Sequence, residues 1–247
     1  MRAVLLQRGR ESMKAQAYCD VELHYRQDPA PSESSFVSNL ANSRVQYLLI
    51  RSFDVFAALV ALIFFAPLMI LLAIAIRFAD GGPALFAHRR IGYDGEFFPC
   101  LKFRSMLMGA EAKLEAILAK DPNARREWEA TQKLQYDPRV TSLGRFLRKS
   151  SLDELPQLIN VLRGDMSIVG PRPIVEDEKR RYGRYFATYC QVRPGMTGLW
   201  QAAGRNTTTY RRRVALDVLY VRRRSFAFNI AVILRTVPSV LMARGVS

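Results

Sequence analysis

Histidine and cysteine are scarce in this 247-residue sequence: only His24 and His88 of the first, and Cys19, Cys100 and Cys190 of the second. The cysteines lie far apart, are odd in number, and show neither metal-ligand spacing nor a disulfide framework, which fits a reducing compartment. So few imidazoles make a zinc site or a Ser-His-Asp triad a poor starting point. The sequence has no Walker loop and no Gly-x-Gly-x-x-Gly fingerprint, which argues against a P-loop nucleotidase or a Rossmann dehydrogenase. It also lacks an apolar core near Met1, so no cleaved secretory signal is expected. Acidic residues are in deficit: 37 Lys and Arg against 22 Asp and Glu leave a net charge of +15. A surplus of that size points to anionic partners, whether nucleic acid, acidic headgroups or phosphorylated substrates. No nucleic-acid-binding module is recognisable, and nucleic acid is not the expected partner.

One long uncharged run stands out. Val55 to Ile76 carries no charge, between Arg51/Asp54 and Arg77. As a helix it would be roughly 33 Å long, enough for a hydrocarbon core of about 30 Å. Pro67 sits near its middle, removing one backbone donor and favouring a kink. Sequence physics leaves a spanning and a re-entrant form open. Residues 77–247 hold 30 Lys and Arg against 16 Asp and Glu, which places them on the cytoplasmic side.

The division expected from composition is fourfold. Residues 1–45 read as a polar leader, 46–80 as a membrane-embedded helix broken near Pro67, 81–224 as a cytoplasmic catalytic domain, and 225–247 as an amphipathic interfacial segment. The fold class is α+β and mostly helical. Short strands are expected at Ala84–Phe86 and Phe97–Phe103 around the Asp94-Gly95 turn. Helices are expected over Leu107–Lys120, Arg125–Gln135, Glu176–Tyr189 and Tyr210–Arg224. In Ser225–Met242, Ser225, Asn229, Thr236 and Ser239 recur at helical spacing, and Pro238 is a point where the helix could split. That pattern suits a helix in the membrane interface, with an amphipathic core helix as the alternative.

The chemistry centres on Ser151-Leu152-Asp153-Glu154-Leu155-Pro156-Gln157, with Leu158, Ile159 and Leu162 continuing an apolar helical face to Gly164. Ser151 with Glu154 satisfies a capping-box pattern, while capping by Asp153 would put Pro156 in the tolerant first turn. Either way two carboxylates sit at a helix N-terminus, which favours their ionised form. Capping alone is the bland reading. Against it stand Arg145 and Arg148 upstream and the stiff Pro171-Arg172-Pro173 loop downstream, a suitable fork for a phosphate. Lys102, Arg104, Arg193 and Arg205 occupy similar charged or turn-rich settings. Mg²⁺ is the metal that hard oxygen ligands from Asp153, Glu154 and a diphosphate would select.

The ordered series Arg51-Ser52-Phe53-Asp54, Arg89-Arg90-Ile91-Gly92, Lys102-Phe103-Arg104-Ser105-Met106, Leu152–Gln157, Gly164–Pro173 and Arg193–Gln201 closely resembles the bacterial sugar transferases. These are monotopic phosphoglycosyl transferases acting on polyprenyl phosphate. The likeness covers roughly residues 46–247. It implies a re-entrant helix breaking near Ala66-Pro67, with both ends at the cytoplasmic face of the bacterial inner membrane. It also implies a UDP-sugar donor, UDP-galactose or UDP-glucose, and undecaprenyl phosphate as acceptor. Asp153 would attack the sugar-linked phosphate, release UMP and hold the phosphosugar covalently; Glu154 would assist, through the metal or the acceptor. Lys102, Arg104, Arg145, Arg148, Pro171, Arg172, Pro173, Arg193 and Arg205 would bind substrate, and Arg51 and Asp54 would meet the membrane. Two departures stand: Ala66 replaces a common Ser, and Ile50 replaces a common Lys. Oligomeric state is left open, a homodimer included.

Overall fold

A computed structural model describes residues 33–131, 134, 136–202 and 209–241. Residues 1–45 form one unit, of which the helical backbone from Glu33 is described, and residues 46–247 form another. The expected leader and Arg205 lie outside the described residues, apart from that stretch of helix.

Helix α1 runs from Glu33 to Asp80. Its stretch Arg44–Ala79 is long and apolar enough to cross a membrane. A buried helix of a soluble protein would hide its large side chains. Here Phe56 is 67% exposed, Ile63 68% and Phe64 74%. This is a lipid-facing surface, and the chain is membrane-anchored. The expected break at Pro67 is not a helix end, because helical backbone continues through the proline. A proline forfeits one hydrogen bond, and long helical arms on both sides can hold the backbone across it.

Among the described residues, one side of α1 meets the rest of the chain. Ala58 packs with Phe98, Leu158, Val161 and Met166. Beyond the proline, Leu72 and Ile76 pack with Phe103 and Leu147. Both arms of α1 therefore lean on the same domain.

That domain begins with an antiparallel hairpin, β1 (Leu85–Ile91) and β2 (Phe97–Phe103), in the expected place. Asp94 and Gly95 make its turn at φ 57° and 79°. Helices α2 (Ala110–Lys120) and α3 (Pro122–Thr131) follow. The first starts later than composition suggests because Gly109 is left-handed at φ 69°. The second starts earlier because a proline at the first helical position gives up no bond. Helix α4 (Ser142–Ser150) is capped by Thr141, whose Oγ1 accepts from the Gly144 amide at 2.8 Å.

After α4 come a 3-10 turn at Leu152–Glu154, helix α5 (Gln157–Arg163) and strand β3 (Ser167–Val169). The expected helix over Glu176–Tyr189 is instead broken into 3-10 turns and the short helices α6 (Lys179–Tyr182) and α7 (Phe186–Tyr189). Gly183, at φ 51° and ψ −127°, leaves helical space between them. Strand β4 (Gly195–Thr197) pairs in parallel with β3, and α8 (Leu199–Ala202) follows. Helices α9 (Tyr210–Arg223) and α10 (Phe226–Leu241) end the described chain.

Helix α10 keeps its helical backbone through Pro238. Its polar stripe is real but turned inward. Asn229 is 2% exposed and bonded to the Tyr220 hydroxyl at 3.0 Å, and Thr236 lies 3.1 Å from Thr197. Leu234 instead points out, 67% exposed. Asn229 and Thr236 are satisfied by protein, Val232 is buried with Phe228 and Ile233 packed against the same core, and Leu234 is the large apolar side chain left facing outward among the described residues.

Candidate active site

Asp153 and Glu154 sit on the 3-10 turn ahead of α5, reached through a left-handed Ser151 at φ 59°. A non-glycine residue costs about 1–2 kcal/mol in that conformation, and such strain concentrates at functional sites. The expected capping box does not form. Ser151 makes no side-chain cap to the turn, and α5 opens on Pro156 with no side-chain cap either. The pair thus stands on the turn itself and not at the N-cap position of either helical segment.

A clamp fixes them against the hairpin. The fully buried Asn160 of α5 accepts from the Leu101 amide at 2.9 Å and donates to the Pro99 carbonyl at 2.8 Å. That sets the adjacent residue of β2 over the turn. Lys102 Nζ lies 2.6 Å from Glu154 Oε1 and 4.0 Å from Asp153 Oδ2. Asp153 is only 9% exposed. Burial pushes its carboxyl above the usual range; Lys102 opposes this, Glu154 adds to it and Arg148 opposes it more weakly. Arg148 is steadied by Ser105, whose Oγ accepts from its Nε at 2.8 Å.

A narrow cleft opens beside this pair. The hairpin and the carboxylate turn contribute Arg90, Cys100, Lys102, Glu154 and Gln157. The β3–β4 side contributes Arg172, Pro173, Gly195, Met196 and Gln201. Close backbone contact joins the two loops of that side: a Cβ on Gly195 would fall 2.0 Å from the Gly170 nitrogen. The Gly195 amide donates to the Pro171 carbonyl at 2.8 Å. Arg90 reaches the Pro173 carbonyl at 3.3 Å and the Glu178 carboxylate at 3.7 Å. Glu178 also pairs with Arg213 at 3.3 Å. Behind it, Tyr182 donates to Asp217 at 2.7 Å. Burial drives Asp217 up to about 7, against the pull of Tyr182 and Arg213.

The structure gathers some of the residues expected to bind substrate and disperses others. Lys102, Arg172 and Pro173 line the cleft, with Pro171 supporting the loop. Arg148 stands behind Asp153. Arg145 turns away to the Val140 carbonyl and Ser142, at 3.2 and 3.0 Å. Arg104 lies against Met108 at 3.4 Å and close over Gly82. Arg193 donates to the Gly164 carbonyl at 2.5 Å and to the Tyr47 hydroxyl at 3.2 Å, joining α1 to the turn after α5.

Arg51 and Asp54 join the same turn. Arg51 donates to the carbonyls of Val161 and Leu162 at 2.6 and 2.9 Å. Asp54 accepts from the Ile168 amide at 2.9 Å and is 2% exposed. Their side chains bind protein. Ala66 is half-buried and Pro67 exposed on α1.

Sequence reasoning had quoted Arg90, Gln157 and Gln201 within longer segments without giving them a role. Nothing in the local sequence marks Glu178 or Asn160.

A buried Asp153 and a half-buried Glu154 beside Lys102, with Arg90 on their side of a cleft and Arg172 across it on a membrane-anchored domain, suit anionic phosphate chemistry. The family model described as "Bacterial sugar transferase" matches residues 45–243. The chain belongs to the bacterial sugar transferase family. Within it, the chain is 51% identical over 195 residues to the "Exopolysaccharide production protein ExoY" of Rhizobium meliloti, covering 79% of this chain and 86% of that protein. It is 50% identical over 208 residues to the "Undecaprenyl-phosphate galactose phosphotransferase" of Salmonella typhimurium, covering 84% of this chain but 43% of the longer relative. A "UDP-glucose:undecaprenyl-phosphate glucose-1-phosphate transferase" of Caulobacter vibrioides is 42% identical over 200 residues, covering 77% of this chain and 69% of that one. For a sugar transferase, the cleft's cationic lining suits a donor that carries a diphosphate.

Proposed function

We propose that this sugar transferase moves a hexose 1-phosphate from a UDP-sugar to undecaprenyl phosphate, through a phosphosugar held on Asp153. The observation that carries this reading is the buried Asp153 beside the Lys102–Glu154 pair, at a cleft holding Arg90 and Arg172. In the first step an Asp153 oxygen attacks the sugar-linked phosphorus, and the bond from that phosphorus to the bridging oxygen breaks. UMP leaves with the electron pair, and a mixed carboxylic–phosphoric anhydride remains. In the second step an oxygen of undecaprenyl phosphate attacks the same phosphorus and the Asp153 carboxylate departs, giving undecaprenyl-diphosphate hexose. Splitting the transfer lets one anion leave before the next arrives, which limits repulsion between phosphates. Lys102 opposes the effect of burial and favours the ionised form of Asp153, and Arg90 and Arg172 offset charge that develops on the phosphates.

The donor set fits Mg²⁺. Among the described residues no three His, Cys, Asp or Glu side chains cluster, so the protein's share would be the carboxylates of Asp153 and Glu154. Mg²⁺ characteristically takes one or two carboxylates and completes its shell with substrate phosphates and water. When bound there, it would neutralise diphosphate charge.

Membrane position follows from α1. A helix crossing the bilayer would carry its two arms to opposite sides, yet Ala58 and Ile76 both pack on this one domain. That supports a re-entrant anchor, and the surplus of Lys and Arg over residues 77–247 supports a catalytic domain on the cytoplasmic face of the inner membrane, at headgroup depth where the acceptor phosphate lies. Galactose or glucose is the expected sugar, as the names of the relatives suggest.

The test is transfer in membranes from several radiolabelled UDP-sugars with Mg²⁺ and undecaprenyl phosphate, identifying the lipid product and the nucleotide. We expect UMP, a lipid diphosphate sugar, and an adduct on Asp153 after incubation with donor alone. Asp153→Asn should be folded and inactive. Release of UDP, or full activity of that variant, refutes the reading.

A further inference from the structure

Among the described residues, one acceptor on the cleft wall has no donor. Gln201 is 7% exposed and lines the cleft, and its Oε1 is out of contact with water and has no hydrogen-bond partner. A buried carbonyl oxygen left in that state carries an uncompensated desolvation penalty, and native proteins rarely tolerate one without a reason. The geometry around it is built. Gln201 lies on α8, just after Gly198, and a Cβ on Gly198 would fall 3.0 Å from Oε1 and 2.2 Å from the Gly170 carbonyl oxygen. The glycine gives the amide its place against the loop that leads into Pro171-Arg172-Pro173.

We propose that the Gln201 amide turns into the cleft when the donor binds, accepts a hydrogen bond from a hydroxyl of the transferred hexose, and so helps choose which sugar is used. This rests on the proposed function, which puts a UDP-hexose in the cleft. The argument for the hexose is one of reach. The reacting phosphorus must sit at Asp153, beside Glu154 and Lys102, and those two share the narrow cleft with Gln201. The hexose is one oxygen from that phosphorus, while uracil is separated from it by a second phosphate and the ribose. Arg90 and Arg172, also in the cleft, suit the phosphates, which leaves a neutral amide for a neutral hydroxyl. A site that hydrogen-bonds a substrate hydroxyl discriminates strongly against an analogue lacking it, because the buried acceptor is then left unpaired.

The experiment uses the full chain in membrane vesicles, comparing wild type with Gln201→Leu and Gln201→Glu. Donors are the preferred UDP-hexose and its series of monodeoxy analogues, and UMP serves as a hexose-free competitor. In wild type, one deoxy donor should lose about tenfold in kcat/KM. Gln201→Leu should lose a similar factor on the intact donor, lose nothing further on that deoxy donor, and keep the wild-type inhibition constant for UMP. Gln201→Glu retains an acceptor oxygen and should still discriminate against that same deoxy donor. It carries the test should Gln201→Leu fail to fold. Unchanged kinetics in Gln201→Leu, loss of UMP affinity in step with activity, or loss of discrimination in Gln201→Glu each overturns the proposal. Wild-type vesicles that form no lipid-linked sugar from any UDP-hexose would instead remove the proposed function, and this assignment with it.

Discussion

Replacing Arg51 by alanine distinguishes two physical roles for one side chain. The motif around it implies a contact with the membrane, whereas its guanidinium in fact forks onto the Val161 and Leu162 carbonyls at the C-terminal end of α5. Hydrogen bonds to a charged group contribute about 1.5–3 kcal/mol each, and two from one half-buried group fall short of additivity. A cation at a helix C-terminus adds a few tenths more. We therefore expect Arg51→Ala to lose about 2–4 kcal/mol, which for a domain of this size lowers Tm by roughly 5–12 °C. Arg51→Lys should fall between, because one ammonium cannot form the same planar fork. The assay is thermal unfolding in lipid nanodiscs, with carbonate extraction of membranes to follow anchoring separately. An Arg51→Ala protein that melts at the wild-type temperature but washes off membranes would refute the docking role and restore the headgroup one.

Three further outcomes follow from other contacts. Lys102→Met removes the cation that restrains the Asp153 carboxyl, so burial and Glu154 would raise it further; we expect at least about tenfold lower transfer near neutrality and an acid limb of kcat/KM displaced to higher pH, read from a pH–rate profile. Asp217 stands at about 7 in the folded chain against 3.8 unpaired, so the folded state holds a proton that the unfolded state releases, and this contribution is whole below the lower value and lost as pH rises through about 7. Asp217→Asn should flatten that slope in Tm measured against pH; an unchanged slope would point to another group. Gly198→Ala would put a methyl 2.2 Å from the Gly170 carbonyl oxygen, and we expect a loss of about 1–3 kcal/mol on thermal unfolding together with weaker donor use.

What could be read without coordinates was mostly local. The hairpin and the lipid-facing run follow from alternation and length within a few neighbouring residues, whereas the carboxylates, expected at a capped helix start, stand on a 3-10 turn after a left-handed Ser151. Gly164 ends α5 at φ 93°, as its identity suggests. The roles of Arg51, Asp54 and Arg193 could not be read in this way. Their partners lie 110, 114 and 29 positions away, and an arginine's sequence setting says nothing of which distant carbonyls it will meet. Helix α10 shows a subtler limit. Spacing revealed a polar stripe, but whether such a stripe faces water or protein depends on whether Tyr220 and Thr197 wait behind it. The helix expected over Glu176–Tyr189 failed on one residue, Gly183, whose backbone angles interrupt an otherwise favourable composition.

The docking of α1 bears on how this enzyme can be handled. Removing a hydrophobic segment to obtain a water-soluble fragment is a common shortcut, and Gly81-Gly82 offers an obvious place to cut. Here that cut would strip Ala58 from one core and Leu72 and Ile76 from another, and would leave the carbonyls at the end of α5 bare. The carboxylate turn would lose its backing along with its lipid tether. Preparations of this protein should keep the greasy helix and supply it with bilayer, because the one helix that holds the enzyme in the membrane also completes its interior.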